Sequence, residues 1–414
     1  MPSFKFLHAA DLHLGTPFRG LAIKDAGIAE RFAQATRTAF STLVSRAIEE
    51  NVAFAVIAGD VYDGEWKDST IGLFFNREIA RLDRAGIPVF LLKGNHDAES
   101  VVTRTITLPD TVREFPTRKP DTFRLDELRV ALHGQGFADR AASDNLAAAY
   151  PAPVAGWFNI GVLHTSLTGR PPHAPYAPCS PEELANRGYD YWALGHVHAF
   201  EIVSREPAIV FPGNIQGRSI RETGDKGAVI VTVEDGHVAA IDRLLVDEAR
   251  WGSLTVDVTG AASLSDVLAA VRPAVEGAAR DAEGRLLALR LSLSGATELR
   301  RELVADRARF ADEIQAACHR IHPDIWLEKL DLGGLSTPPG PHTPGSDPGL
   351  DLDALLSELL ADPAAPEAAD ALVAEIAARM PSGLGTGDAP LGVTADELLA
   401  EARELLMARA EGSG

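Results

Sequence analysis

Residues 88–97, with the sequence PVFLLKGNHD, indicate both how this chain folds and where its reactive side chains gather. The apolar first half is typical of a short strand that is buried in a parallel sheet. Gly94 permits a tight turn, which then presents Asn95, His96 and Asp97 one after another. In open α/β sheets, ligands bind just beyond the carboxyl ends of the strands. Taken alone, the stretch fits a functional turn and a polar loop that caps the next helix equally well.

Apolar runs and helical periodicity alternate on both sides of this stretch. We expect strands at 4–10, 53–58 and 88–92, separated by helices at 27–51 and 69–85. This order favours a parallel sheet with right-handed crossover connections, and therefore an α/β fold. Further strands are expected at 121–137 (two strands), 159–163, 189–194, 208–212 and 227–245, the last two regions with antiparallel pairing.

Five of the predicted strands end in side chains of the types that can bind metal ions. These side chains are Asp11 and His13, Asp60, Asn95 and His96, His164, and His196 and His198. A single buried histidine is more often a hydrogen-bonded core residue than a ligand, and an aspartate at a strand end is often a helix cap. Core packing alone does not account for such side chains at every one of five strand ends. The set offers imidazole, carboxylate and amide oxygen without thiolate, which suits Mn²⁺, Fe²⁺ or Zn²⁺.

This donor set predicts a site for two divalent ions that hydrolyses a phosphoester. A pair of metal ions needs a bridging carboxylate, and Asp60 is the natural candidate. His96 would then protonate the leaving group, with Asp97 holding the tautomer of its ring.

Four motifs in this order resemble the calcineurin-like metallophosphoesterase family, and within it the SbcD/YhaO-type DNA repair exonucleases. The motifs are residues 10–15 (ADLHLG), 58–63 (AGDVYD), 93–97 (KGNHD) and 194–198 (LGHVH). Residues 211–218 (FPGNIQGR) add a turn that resembles the YhaO-like branch. The resemblance covers residues 4–245, and the later part of the chain agrees with the family only in layout.

The resemblance implies a fold, a ligand set and partners. The fold would be a two-sheet α/β/β/α sandwich, followed by a small α+β capping domain. The first metal ion would take Asp11, His13, Asp60 and His198, and the second would take Asp60, Asn95, His164 and His196. His96 would be the catalytic acid, supported by Asp97. Asp63 is a departure, because some family nucleases have a phosphate-contacting histidine there. The implied partners are DNA, an SMC-like ATPase and a second copy in a homodimer.

The sequence therefore favours a metal-dependent DNA exonuclease, with endonuclease activity as a further expectation and Mn²⁺ as the expected metal ion ahead of Fe²⁺, Zn²⁺ or Mg²⁺. Two alternatives stay open. One is a phosphodiesterase or phosphatase that acts on nucleotides or small phosphoesters. The other is a protein that serves mainly as the binding partner of an ATPase.

Composition shifts divide the chain into four predicted segments. They are a metallophosphoesterase domain at 1–250, an α+β capping domain at 251–332, a Pro/Gly-rich linker at 333–349 and an acidic helical region at 350–414. In the capping domain we expect strands at 254–258, 285–293 and 325–330, and helices at 264–279 and 297–318. In the last region we expect helices at 350–360, 368–380 and 394–410, the third beginning with a capping box at 394–397.

The net charge of −20 is concentrated in the second half, where residues 241–414 hold 15 Lys+Arg against 30 Asp+Glu. Such acidity argues against strong unaided binding of nucleic acid, because affinity for phosphates comes from Lys and Arg. It does not exclude a phosphate substrate, since divalent ions can supply positive charge. The acidic region also carries an apolar helix face that we expect to be buried against protein. Its members are Leu352, Leu355, Leu356, Leu359 and Leu360.

We expect a cytoplasmic protein that does not insert into membranes. No apolar run approaches the roughly 20 residues that a membrane-spanning helix needs. The first residues begin a strand pattern directly and lack a signal-peptide core. Cys179 and Cys318 have no metal-like spacing and are expected to be reduced thiols.

Overall fold

The computed structural model describes residues 2–16, 26–63, 69–99, 108–139, 143–168, 176–338, 352–361 and 364–379, with isolated helical positions between 398 and 406. The chain divides into two compact units. The first comprises residues 1–18 and 26–250, and the second comprises residues 19–25 and 251–414.

The first unit alternates strands and helices at its start and is rich in strands afterwards. Its strands are β1 (Phe4–Ala9), β2 (Phe54–Ala58), β3 (Val89–Leu92), β4 (Val112–Glu114), β5 (Asp121–Leu125), β6 (Val130–Gly134), β7 (Phe158–His164), β8 (Tyr191–Gly195), β9 (Glu201–Arg205), β10 (Ala208–Phe211), β11 (Gly227–Glu234) and β12 (His237–Leu245). Its helices are α1 (Ala26–Glu49), α2 (Ser69–Arg84), α3 (Asn95–Glu99) and α4 (Pro181–Ala185), with a 3-10 helix at Leu146–Ala149.

These strands form two six-stranded mixed sheets. The first sheet has the order β12-β11-β1-β2-β3-β4, in which β1 to β4 are parallel and β11 and β12 are antiparallel. The second sheet has the order β5-β6-β7-β8-β10-β9, in which β6, β7, β8 and β10 are parallel. The predicted α/β fold with parallel strands β1, β2 and β3 is thus confirmed.

One pairing prediction needs correction. The strand expected at 208–212 is β10, which runs parallel to β8 and antiparallel only to β9. The sequence reading missed β9 because its residues are mostly half-buried and lack an apolar run. Since β9 turns the chain back at the edge of the sheet, the following strand enters with the direction of β8.

The two sheets pack face to face between two outer layers. Between the sheets lies an aromatic core, in which the Phe6 and Phe54 rings stack at 5.0 Å and Tyr191 from the second sheet meets Phe6 edge-on at 5.2 Å. Helices α1 and α2 cover the outer face of the first sheet through residues such as Phe40 and Phe75. A further cluster that includes Leu184 of α4 and Trp192 covers the second sheet. The predicted α/β/β/α sandwich is therefore present.

The second unit contains a small α+β fold. Its elements are β13 (Ala249–Asp257), α5 (Leu264–Asp281), β14 (Leu286–Ala296), α6 (Arg300–Ala305), α7 (Arg307–Ile321) and β15 (Ile325–Ser336), with the sheet order β13-β14-β15. The single helix expected at 297–318 is two helices. The break lies at Asp306, where the backbone leaves the helical conformation and the carboxylate caps α7 by accepting a hydrogen bond from the N–H of Arg309.

The start of the predicted linker at 333–349 is wrong by four residues. Strand β15 continues through Gly333 and Gly334 to Ser336 because β14 pairs with it along its full length, as far as Ala296 opposite Ser336. The ladder of backbone hydrogen bonds overrides the weak strand propensity of two glycines. Residues 339–351 lie outside the described part of the chain.

Helices α8 (Leu352–Ala361) and α9 (Ala364–Arg379) follow in the acidic region. The apolar face of α8 was expected to be buried, but Leu355 and Leu359 on it are 46% and 59% exposed. Leu372 of α9 is also exposed, at 57%. Nothing in the described part of the chain covers these side chains fully. The capping box expected at 394–397 falls outside the described residues.

Among the described residues, no helix is both long and apolar enough to cross a membrane. Cys179 and Cys318 are buried free thiols, and burial raises the pKa of each to about 11.

The contact between Gly161 and Trp192 gives a test of the second sheet. The two residues are cross-strand partners, and a Cβ at position 161 would overlap the indole ring. That ring is held in place because its Nε1 donates a hydrogen bond to the carbonyl of Leu184 at 3.1 Å. We expect Gly161→Ala to lower the free energy of unfolding by about 1–3 kcal/mol in urea titrations.

The matched control is Gly277→Ala in α5, where the added Cβ meets only the Arg280 side chain at 3.8 Å. This change should leave stability unchanged or raise it by up to about 1 kcal/mol. Equal unfolding midpoints for Gly161→Ala and the unsubstituted chain would contradict the packing argument.

Candidate metal centre

The predicted ligands meet at one edge of the sandwich, beyond the carboxyl ends of β1, β2, β3, β7 and β8. Asp11, His13, Asp60 and His196 have positive φ angles of 52°, 43°, 54° and 99°. Non-glycine residues adopt this conformation rarely and at a cost of about 1–3 kcal/mol each, and they cluster at functional sites. The backbone of these turns therefore adopts a conformation that it does not prefer. This conformation brings the side chains of the turns together at one edge.

The ligand atoms form three overlapping groups, in each of which all the atoms lie within 4.8 Å of one another. The groups are Asp11, His13 and His198; His13, Asp60 and His96; and Asp60, His164 and His196. Because His13 and Asp60 each belong to two groups, the three groups form one continuous set.

Asp60 lies at the centre of this set. Its Oδ2 atom is 3.4 Å from Nε2 of His164 and 3.9 Å from Nε2 of His13, and its Oδ1 atom accepts a hydrogen bond from the backbone N–H of His96 at 2.9 Å. One carboxylate thus lies close to a histidine of each predicted ion site. Gly94 allows this approach, since a Cβ there would overlap Oδ1 of Asp60.

His164 shows that the site fits a cation. Its Nδ1 lies 2.9 Å from the carbonyl oxygen of Ala58, which can only accept, so Nδ1 carries the hydrogen. In the neutral ring, Nε2 is then an acceptor that faces Oδ1 of Asn95 at 3.0 Å. With the Asn95 oxygen facing Nε2, a proton or a metal ion between the two atoms satisfies both acceptors. A backbone carbonyl on the other ring nitrogen is also the usual support of a metal-binding histidine.

His198 is oriented in the same way. Its Nδ1 lies 2.7 Å from Oε1 of Glu222, so Nε2 is the nitrogen left to bind an ion. That Nε2 atom is 3.1 Å from Nε2 of His13. The two rings point the same nitrogen at one spot, as two ligands of a single ion do. The donor atoms therefore fit a divalent metal ion at each of the two predicted ion sites.

Burial sets the charge of these groups. Burial and the nearby Arg218 hold the pKa of His13 well below its usual value, so this ring is neutral and able to bind metal. Burial opposes ionisation of Asp60, but His164 and His96 together hold the pKa of Asp60 below its usual value. Burial likewise opposes protonation of His164, but Asp60, Asp11 and the carbonyl of Ala58 together raise the pKa of His164 to about 9. A bound cation would replace that proton.

Asp97 makes hydrogen bonds with backbone groups of two loops. Its carboxylate accepts from the N–H groups of Val61, Tyr62 and Gly94 at 3.0 to 3.2 Å. Burial and the neighbouring Asp60 carboxylate raise the pKa of Asp97, and these three donors oppose the rise. These contacts fix the turns after β2 and β3 relative to each other.

The carboxylate that lies beside the His96 ring is Asp63. Its Oδ1 is 3.3 Å from Nδ1 of His96, and its Oδ2 accepts a hydrogen bond from Thr16 Oγ1 at 2.7 Å. Asp63 is thus placed to hold the tautomer of His96, the role that the sequence reading gave to Asp97. The predicted support of His96 by Asp97 stays a prediction.

Two contributors to the centre were missed from the sequence, namely Glu222 and Arg218. Glu222 holds His198, and its other oxygen accepts hydrogen bonds from Asn214 Nδ2 and from the backbone N–H of Arg218, both at 2.8 Å. Glu222 lies 24 residues beyond His198, so no local spacing pairs the two. Arg218 ends the quoted motif at 211–218, which was the available signal.

Comparison with protein families gives two matches. The model described as calcineurin-like phosphoesterase matches residues 4–200, and the model described as metallophosphoesterase YhaO, middle domain, matches residues 251–333.

Several known proteins are similar to this chain. The uncharacterized metallophosphoesterase YhaO of Bacillus subtilis is 36% identical over 63% of this chain and 64% of that protein. The DNA double-strand break repair proteins Mre11 of Sulfurisphaera tokodaii and Methanopyrus kandleri are 25% and 26% identical, each over 62% of this chain and over 66% and 60% of their own lengths. A solved dimetal phosphatase from Danio rerio shares 12% identity, covering 60% of this chain and 99% of that one with a TM-score of 0.34.

The chain thus spans at most 66% of the length of these three curated relatives. The family match at residues 4–200 includes every predicted ligand, from Asp11 to His198, and ends before strands β9 to β12. The two-sheet sandwich, the clustered histidines and aspartates and the family match agree. Residues 4–200 of this chain therefore form a calcineurin-like metallophosphoesterase domain, whose clustered histidines and aspartates are compatible with a divalent metal site.

Proposed function

We propose that this chain is a metal-dependent DNA nuclease, chiefly an exonuclease, which hydrolyses phosphodiester bonds at the site around Asp60. The observation that carries the proposal is the position of Asp60 between His13 and His164, which suits a carboxylate shared by two ions. DNA as the substrate is supported by the similarity to proteins named for DNA double-strand break repair.

Each predicted residue has a place in this proposal. Bound divalent ions would supply Lewis-acid activation of the phosphoester and of the attacking water. Mn²⁺ is the ion that we expect, with Fe²⁺, Zn²⁺ and Mg²⁺ as alternatives that the same donors accept. The first ion would be held by Asp11, His13, Asp60 and His198, and the second by Asp60, Asn95, His164 and His196.

His96 is the proposed general acid. Its side chain is 30% exposed, whereas Asp60 beside it is almost fully buried, so His96 borders the entrance to the ligands. Because Asp63 engages Nδ1, the other ring nitrogen, Nε2, is left to give its proton to the departing oxygen. Asp63 then stabilises the charged ring before the proton is transferred.

A second candidate is hydrolysis of nucleotides or small phosphoesters. The net charge of −20 favours it, because a long polyanion is repelled by an acidic surface more strongly than a small one. A substrate panel of linear duplex DNA, single-stranded DNA and bis(4-nitrophenyl) phosphate separates the two candidates.

An SMC-like ATPase is the proposed partner, and a homodimer in the cytoplasm is the proposed state. The exposed Leu355, Leu359 and Leu372 on acidic helices support binding to protein rather than to DNA. If that binding were the main role of the chain, the site around Asp60 would be dispensable.

We expect Mn²⁺-dependent cleavage of linear DNA by the unsubstituted chain, abolished by a chelator. His96→Asn should lower the rate by about 10²–10⁴-fold, because it removes the proposed acid and keeps every residue that is assigned to the two ions. The measurement is initial rate on each substrate of the panel, with Mn²⁺ content determined in parallel. The control is His237→Asn, which replaces an exposed histidine of β12. Near-normal rates for His96→Asn would show that His96 is not the general acid.

Asp60→Ala should lose both metal ions together, since the Asp60 carboxylate would be a ligand of both. Metal counting by mass spectrometry on the folded variant, checked by circular dichroism, gives the result. Asp242→Ala, an exposed aspartate on β12, is the matched control and should keep the full metal content. Two ions per chain in Asp60→Ala would show that Asp60 is not the bridge.

Removal of the acidic region tests the partner proposal. The cut is placed after Thr337, because an earlier cut would remove the end of β15. We expect the truncated chain to cleave short DNA at the normal Mn²⁺-dependent rate but to lose co-purification with the ATPase. Lost DNA cleavage with ATPase binding intact, in a folded truncated chain, would contradict this division of roles.

A further inference from the structure

Among the described residues, four partly exposed side chains border the metal centre, and we call them the mouth of the site. They are His96, His198, Arg218 and Asp63, exposed by 30%, 22%, 21% and 18%. The side chains of the inner ligands are exposed by at most 2%, namely Asp11, His13, Asp60 and His164. A phosphoester that approaches the inner ligands from this side meets these side chains.

The guanidinium of Arg218 is fixed along one edge. Nε and Nη2 both donate to Oε1 of Glu222, at 3.2 and 3.1 Å, and Nη2 lies 3.2 Å from Nδ1 of His198. Nη1 is directed to the other side, where Oδ2 of Asp63 lies 3.7 Å away, beyond the length of a hydrogen bond. Arg218 thus presents Nη1 on the side of Asp63 in a preset orientation.

Arg218 is also the one permanently charged cation among the four mouth residues. Asp63 is a carboxylate, and behind it lie Asp11 and Asp60, so the protein groups around the entrance carry an excess of negative charge. A phosphoester anion that enters needs positive partners in addition to metal ions. Arginine keeps its charge at every physiological pH, and its planar guanidinium matches the geometry of phosphate oxygens.

We propose that Arg218 binds a non-bridging oxygen of the substrate phosphate through Nη1, and thereby makes the site selective for phosphoester anions. The proposal rests on the phosphoester hydrolysis proposed above and adds a substrate-contacting residue to it. Glu222 is then a positioning residue with two tasks, because it holds both the metal-binding His198 and the phosphate-binding Arg218.

The experiment compares the full-length chain with Arg218→Ala, Arg218→Lys and Arg221→Ala, all loaded with Mn²⁺. Arg221 is the matched control, since it is an exposed arginine of the same loop. Three quantities are measured: Mn²⁺ affinity and stoichiometry, binding of inorganic phosphate by calorimetry, and KM and kcat for bis(4-nitrophenyl) phosphate.

We expect Arg218→Ala to weaken phosphate binding and raise KM by roughly 10- to 100-fold, the usual effect of losing a hydrogen bond to a charged group. The number of bound Mn²⁺ ions should stay unchanged, and Mn²⁺ affinity should change much less than phosphate affinity. Arg218→Lys should recover part of the phosphate affinity because it keeps the charge, and Arg221→Ala should match the unsubstituted chain.

Two results would overturn the proposal. Unchanged phosphate affinity and KM in Arg218→Ala would show that Arg218 does not touch the substrate. An equal loss of Mn²⁺ affinity would show that it acts through Glu222 on His198. If the proposed function is wrong, the unsubstituted chain will hydrolyse no phosphoester. The calorimetric comparison would still test Arg218, because phosphate binding does not require turnover.

Discussion

The structure of the functional edge depends on the burial of one carboxylate, that of Asp60. Its two oxygens have different partners, the backbone N–H of His96 on one side and imidazole nitrogens on the other. A buried carboxylate without partners is strongly unfavourable, so the turn after β3 must bring its N–H group to Oδ1. The same requirement places His13 and His164, which come from different sheets, on either side of Oδ2. The site is therefore complete only when the two sheets are packed together.

Other acidic residues repeat this arrangement and join the loops to one another. Asp11 follows β1 in the first sheet and accepts hydrogen bonds from the backbone N–H of His196, which follows β8 in the second sheet. Asp97 joins the turns after β2 and β3. A buried histidine adds a further link between the sheets, because His8 contacts the Tyr191 hydroxyl and the carbonyl of Leu194. Burial lowers the pKa of His8 to about 3, so this ring stays neutral and structural.

The sequence was most informative where function and local pattern coincide. Asp60 and His96 could be identified because each follows a short apolar run, and the end of a buried strand is where an α/β fold binds ligands. His8 was not selected, since it lies inside its strand and not at the end. Glu222 and the pairing of Asp63 with His96 could not be found, because they depend on contacts through space between separate loops. The path of β15 through two glycines was missed for a similar reason, since only its partner β14 specifies it.

The contrast between the buried inner ligands and the half-exposed mouth bears on how the protein acquires its ions. Asp11, His13, Asp60 and His164 have almost no contact with solvent, whereas His96, His198, Asp63 and Arg218 beside them are partly exposed. An ion held by the four inner ligands would therefore exchange its hydration water for protein oxygen and nitrogen atoms. Because those ligands bind an ion only in their deprotonated form, uptake of the ion would also release protons.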